Sequence, residues 1–362
     1  MGVIECDVVV VGGGVMGSAA AWQLANRGAD TVLLERFEPG HVRGASHGAS
    51  RMFRYAYPDP FYVDLVVQSL PLWRALEAAS GMPLLTITGG VDHGDPAGTQ
   101  PIADAMAAVG AERHWVDPDE AARRWPGLRF ETPVLHHPGS GRVNADATVH
   151  ALQQVAATRG ARLRHQAPVS RVEPGEVTVG PDTYRARRVV VAAGAWTRRL
   201  LGERLQSRPS LSVTQEQPLH FAAEHPGEWP GFIHHRDAGT APFQFVYGMR
   251  TPGEGIKVGF HHAGPPCDPD ERDFAPEPGR LAALLDYVRD WVPGVDAADW
   301  TPISCTYTST PNEDFVIDAV DDLVVAAGFS GHGFKFAPLV GQLLADLALD
   351  GARPPDRFAL RP

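Results

Sequence analysis

Glu5-Cys-Asp-Val-Val-Val-Val11, followed at once by Gly12-Gly-Gly-Val-Met-Gly17, is the stretch that decides the fold. A β-branched apolar run of this length reads as a buried strand. The glycines then turn into Ser18-Ala-Ala-Ala-Trp-Gln-Leu-Ala-Asn-Arg-Gly28, a helix pattern closing on Gly28. Thr31 to Leu34 is a second buried-type strand and ends in Glu35. Together they make a βαβ start with Gly12, Gly14 and Gly17 at the spacing of a dinucleotide-binding turn. Glycines there let backbone N–H groups approach a pyrophosphate at the helix N-terminus. The Glu35 carboxylate can accept ribose hydroxyls and disfavours a 2′-phosphate. A glycine-rich turn without any ligand is the plain alternative. The expected fold class is α/β.

Further along, residues 183–196 look like a strand pair returning to this first sheet and ending in a small-residue turn. Asp146 is positioned to cap a helix over 147–159, and residues 169–180 read as a hairpin turning at Pro174-Gly175. Asp322 to Gly328 is another strand, leading into the glycine loop Phe329 to Gly333. A helix follows with Leu339, Val340, Leu343, Leu344 and Leu347 on one face, so its positive end would point at a ligand held by the N-terminal turn. One sheet is thus expected from three separated pieces. The intervening segments, 86–141 and 206–304, are richer in Pro, His and aromatics. Phe243, Phe245 and Tyr247 alternate toward one side of a strand, as core or as a pocket wall. A helix is expected over 281–291. The pairs His136-His137 and His234-His235 lack a partnered carboxylate nearby in sequence and read as loop residues; no metal site is expected.

The 362 residues carry 32 Lys+Arg against 43 Asp+Glu, a net charge of −11, which with no basic run argues against a nucleic-acid or anionic-membrane partner. A chain this long is expected to divide its core between two domains. The apolar stretch from Val8 to Leu24 is broken by glycines and preceded by acids, so neither a secretion signal nor a membrane span is expected. Three cysteines, Cys6, Cys267 and Cys305, fit neither a disulfide framework nor a zinc site, consistent with a reducing cytoplasm. Of the 32 basic residues only Lys257 and Lys335 are lysine. Lysines kept in such a background suggest positions where a compact, deprotonatable ammonium matters, or else two accidents on the surface.

Four more motifs converge: Gly44-Ala-Ser-His47-Gly-Ala-Ser-Arg51-Met-Phe-Arg54; Gly255-Ile-Lys257-Val-Gly-Phe-His261; Cys305-Thr-Tyr307-Thr before Thr310-Pro311-Asn-Glu-Asp314; and Gly328-Phe-Ser-Gly-His332-Gly-Phe-Lys335. With the N-terminal turn, they closely resemble the monomeric sarcosine oxidase and N-methyltryptophan oxidase family, D-amino-acid-oxidase-like flavoproteins. The resemblance implies a Rossmann-like FAD-binding domain from 1–85, 142–205 and 305–362, and an antiparallel-sheet substrate domain from 86–141 and 206–304. It implies an oxidase of N-methyl or secondary and cyclic amino acids, with O2 reduced to H2O2 and the imine hydrolysed. Cys305 would carry FAD through its sulfur on the flavin 8α-methyl, with Arg51 and His47 stabilising charge on the flavin. Lys335 and Arg54 would pair with the substrate carboxylate. Lys257 would promote the reaction with oxygen, and His261 would approach the substrate amine, a structural histidine being the alternative. Tyr247 and Tyr307 would line the cavity. The cofactor set would comprise Gly12, Gly14, Val15, Met16, Gly17, Glu35, Arg36, Ser46, His47, Arg51, Val169, Ala193, Gly194, Trp196 and Cys305. It would also include Lys335 and the loop Gly331, His332 and Gly333, with donors toward the flavin pyrimidine. The implied partners are a small amino acid or amine with a carboxylate, and O2, at a monomeric enzyme.

Three other outcomes stay open at this point. On the same fold, a dehydrogenase or desaturase could pass electrons elsewhere or aromatise a cyclic imino acid, and a noncovalent glycine or D-amino-acid oxidase would leave Cys305 unused. A non-catalytic flavin- or nucleotide-binding protein would leave every motif beyond the N-terminal turn idle.

Overall fold

In the computed structural model, residues 2–205, 209–224, 227–237, 239, 241 and 243–360 are described. The strand Val3–Val11 lies between Thr31–Leu34 and Asp182–Val191, parallel to both, with Val9 opposite Val32 and Val189. Residues 183–191, expected within a strand pair, run instead inside one ten-residue strand. Its first half pairs with Glu176–Val179 and its second half with the parallel strand Leu323–Ala327, so one long strand joins all three pieces of the sheet. The hairpin of Val169–Glu173 and Glu176–Val179 turns at Pro174-Gly175 as expected.

Both faces of this sheet are covered, which is why its strands are continuous valines and leucines. Val8, Val10 and Leu33 pack under the helices Val15–Asn26, Ala145–Thr158 and Ala337–Asp350, while Val9, Val11, Val32 and Leu34 face a second cluster. The first and last helices touch backbone to backbone: a side-chain carbon at Gly341 would lie 2.6 Å from Ala19. One capping expectation is corrected. Asn144, not Asp146, caps the helix from Ala145 by accepting from Ala147 N at 3.0 Å, while Asp146 accepts from Gly48 N at 2.8 Å.

The intervening segments supply a second, eight-stranded sheet. Its order is Val295–Pro302, Leu219–Ala223, Gly255–Phe260, Phe245–Thr251, Gly231–His235, Gly90–Gly94, Val134–His137, His114–Val116. It is antiparallel except where Gly231–His235 runs parallel to Gly90–Gly94. Both histidine pairs, expected in loops, end strands of this sheet. The aromatic alternation is also only partly realised. Phe245 and Tyr247 share the strand, whereas Phe243 precedes it and stacks on Phe260 at 4.1 Å. The helix expected over 281–291 spans Pro278–Trp291, with Leu284 and Val288 buried. No helix among the described residues is long and apolar enough to cross a membrane.

Candidate active site

Two cavities adjoin where the sheets meet. The first, of about 880 Å³, runs from the glycine turn past Glu35 and Ala193 to Cys305 and Gly331. Gly12 adopts φ +108°, and a side-chain carbon there would sit 2.4 Å from the Ala192 carbonyl oxygen. Only glycine holds the turn so close to its neighbour. The helix behind it begins at Gly14 with no side-chain cap, so amide donors at its start face the cavity, and Ser46 Oγ accepts from Val15 N at 3.0 Å. Those features fit a pyrophosphate at the helix end. Glu35 is fixed on the wall, accepting from Gly13 N at 2.6 Å and Phe37 N at 2.9 Å. Arg36, Val169, Gly194 and Trp196 line the same space, as do Gly14, Val15, Met16, Arg51 and Gly333. The cavity's length, its glycine turn and its anchored acid fit FAD.

The second cavity, of about 610 Å³, is lined by Lys257, Lys335, Arg54, His261, Tyr247 and His332. Arg51, Cys305, Tyr307, Gly331 and Phe334 line both spaces, so Cys305 stands at the junction. Its sulfur is half-buried and 3.9 Å from Arg51 Nη2. Gly331, at φ +73°, makes room for Tyr307: a side-chain carbon there would lie 2.2 Å from that ring.

Both lysines are buried, which sets aside the reading of two accidents on the surface. Lys257 Nζ donates to Ser50 O at 2.8 Å, and burial with the Arg51 charge lowers its pKa to about 7. Lys335 Nζ donates to Tyr57 Oη at 2.8 Å and His332 O at 2.7 Å; burial and the Arg54 charge hold it well below the ordinary lysine range. His261 Nδ1 lies 3.2 Å from Tyr307 Oη, and burial keeps its ring neutral at physiological pH.

Four residues expected at the cofactor do not line the first cavity. Gly17 lies beneath the turn, where a side-chain carbon would be 1.9 Å from Gly12 O; its part is close helix packing. His47 turns to Ser304 O at 3.0 Å, and burial with the Arg51 charge lowers its pKa to about 3, so it supplies no positive charge. His332 and Lys335 face the second cavity instead. The His332 amide is already given to Phe329 O, at 3.0 Å. Sequence reasoning also missed Tyr57, the hydroxyl partner of Lys335, and a buried carboxylate, Asp92, that meets Arg54 at 3.1 Å. Asp92 is joined by His137 at 2.9 Å and His235 at 2.7 Å. That carboxylate belongs to a different strand from either histidine pair, so no local pattern reveals it.

Residues 7–347 match the FAD dependent oxidoreductase family. The chain is 34% identical to the monomeric sarcosine oxidase of Streptomyces avermitilis, over 95% of this chain and 94% of that protein. It is 27% identical to the N-methyl-L-tryptophan oxidase of Salmonella arizonae, over 96% of this chain and 95% of that one. Among solved structures, the open form of NikD, an unusual amino acid oxidase essential for nikkomycin biosynthesis, superposes with a TM-score of 0.88 at 30% identity, covering 99% of this chain and 98% of its own.

Proposed function

Because the chain belongs to the FAD-dependent oxidoreductase family, we propose that it is an amine oxidase acting on the C–N bond of an N-methyl or secondary or cyclic amino acid. Oxygen is reduced to hydrogen peroxide, and water hydrolyses the imine. The observation that carries this reading is the second cavity, where Arg54 and the only two lysines of the chain surround one space that opens onto the first at Cys305. FAD, held in the first cavity, supplies the two-electron acceptor.

The chain's own residues do the rest. Lys335 and Arg54 bind the substrate carboxylate through charge-assisted hydrogen bonds, each contributing about 1.5–3 kcal/mol and together fixing the orientation of the reacting carbon. The carboxylate's arrival favours the protonated form of Lys335. His261, held by Tyr307, faces the amine as a neutral imidazole, and Tyr247 closes the wall. In its protonated form Lys257 brings positive charge to the side where oxygen is reduced, a preorganised electrostatic contribution. The thiol of Cys305, beside Arg51 at the junction, is the point of covalent flavin attachment. His47, neutral and committed to Ser304, has no part in that charge stabilisation. The same reading divides the chain into 1–85, 142–205 and 305–362 for the cofactor, and 86–141 with 206–304 for the substrate. The three free cysteines support a reducing cytoplasm, and the similarity to a monomeric sarcosine oxidase supports a monomer. A second reading, oxidation of a cyclic imino acid within a biosynthetic pathway, takes support from the similarity to NikD.

The test is a visible spectrum of the purified protein and of its acid-precipitated, washed pellet, followed by a peroxide screen over N-methyl and cyclic amino acids. Yellow colour retained by the pellet, and lost in Cys305→Ala, is the expected result, together with peroxide from at least one amine. Flavin released into the supernatant refutes the covalent link. A flavin that no amine bleaches refutes the oxidase.

A further inference from the structure

Behind Arg54 lies a buried polar circuit to which the reaction as proposed assigns no part. Asp92 sits in the middle of Gly90–Gly94 with no solvent exposure. Its Oδ1 accepts from Arg54 Nη1 at 3.1 Å and from His235 Nε2 at 2.7 Å, and its Oδ2 accepts from His137 Nε2 at 2.9 Å. A carboxylate only accepts, so both imidazoles carry their proton on Nε2. His137 Nδ1 meets the Ser140 hydroxyl at 2.6 Å, and Ser140 Oγ accepts from Tyr55 N at 3.2 Å. The circuit starts at the Arg54 guanidinium and returns to the backbone of the next residue.

The sheet is shaped to hold it. In register, His137 lies opposite Gly90 and His235 opposite Gly94, one glycine on each side of Asp92. A side-chain carbon at Gly90 would come within 2.1 Å of the His137 ring, and one at Gly98 within 2.6 Å of His235 Nδ1. Burial by itself raises the Asp92 carboxyl, yet the Arg54 charge and the two imidazole donors hold it well below the usual carboxylate range. Among the described residues, the bond to Asp92 is the one hydrogen bond that the Arg54 side chain makes, and Arg54 also lines the second cavity.

We propose that Asp92, braced by His137 and His235, is a positioning residue that grips one nitrogen of Arg54 and leaves the remaining guanidinium donors aimed at the substrate carboxylate. This rests on the reading that Arg54 receives that carboxylate. A donor fork held before binding loses little rotamer freedom when the ligand arrives, so the circuit shows itself in carboxylate affinity and KM more than in kcat.

The experiment uses flavin-loaded parent, Asp92→Asn, Arg54→Met and the double variant, each titrated with propionate by calorimetry and assayed with the best amino-acid substrate. Asp92→Asn is expected to weaken propionate binding about tenfold and to raise KM by a similar factor with a smaller fall in kcat. In the Arg54→Met background the Asp92 change is expected to add nothing, because its effect travels through the arginine. Parent-like binding by Asp92→Asn, or losses that simply add in the double variant, overturns the proposal. Parent-like binding by Arg54→Met instead overturns the reading of Arg54 beneath it. Should Asp92→Asn fail to fold, His235→Leu keeps the ion pair while removing one donor. It is expected to weaken propionate about two- to fivefold, and unchanged affinity there overturns the proposal too.

Discussion

Replacing Lys257 by methionine tests the electrostatics of the site without any substrate. The residue is 3% exposed, and the proton affinity of its amine lies at about 7 against an ordinary value of 10.5, mainly through burial. That gap corresponds to about 5 kcal/mol by which the folded state disfavours the charged lysine relative to the unfolded chain. Below pH 7 both states hold the proton and the whole cost is present. Between about 7 and 10.5 the unfolded chain binds more protons than the folded one, so the parent gains stability as pH rises, by about 1.4 kcal/mol per pH unit. Methionine carries no such proton. The advantage of Lys257→Met over the parent is therefore expected to shrink by about 3 kcal/mol between pH 6.5 and 9.5. The hydrogen bond to Ser50 O is lost at every pH and cancels from this difference. Urea unfolding followed by tryptophan fluorescence, with oxidised flavin bound, reads the effect as a change of about 1 M in the separation of the two midpoints. A separation that stays constant across this pH range, or grows with pH, would show that Lys257 keeps its ordinary proton affinity and that burial does not govern it.

Binding of propionate is expected to take up protons and to weaken as pH rises, because Lys335 is held below its ordinary range when free and is favoured as the cation by the ligand. Calorimetry in buffers of different ionisation enthalpy checks the proton count, and in Lys335→Met both the uptake and about tenfold or more of the affinity should disappear. Gly331→Ala forces a side-chain carbon toward the Tyr307 ring at a backbone φ of +73°, so strain of about 1–3 kcal/mol adds to a displaced ring at the cavity junction. The purified variant is expected to carry much less flavin per protein by absorbance; full loading would mean that the junction yields freely.

Much of the fold could be read locally because its signals are local. The strand, glycine turn and helix at 8–26 are contiguous, and so are the hairpin at Pro174-Gly175 and the strand and helix at the end of the chain. Where neighbouring residues compete for one role, local reading failed. Asn144 and Asp146 are both good caps, and the choice went to Asn144 because Gly48, distant in sequence, claims the Asp146 carboxylate. The second sheet was less legible still. Its strands come from two widely separated segments, and the single parallel pairing that joins them, of Gly231–His235 with Gly90–Gly94, has no sequence signature.

The sequence by itself determined that a dinucleotide-type turn opens the chain and that lysine stands at only two positions, since both are written in residue type and short spacing; a chemical part for Cys305 and Arg54 is what the family resemblance implies. Only the tertiary structure decided what those residues face. It turned His47 toward a backbone carbonyl, moved His332 and Lys335 to the second cavity, and set Cys305 between the two. It also brought Asp92 between His137 and His235, 45 and 143 residues away along the chain, to stand behind Arg54. Burial and charge partnership arise only when distant strands meet, and they lower the proton affinity of Lys257, Lys335 and His261.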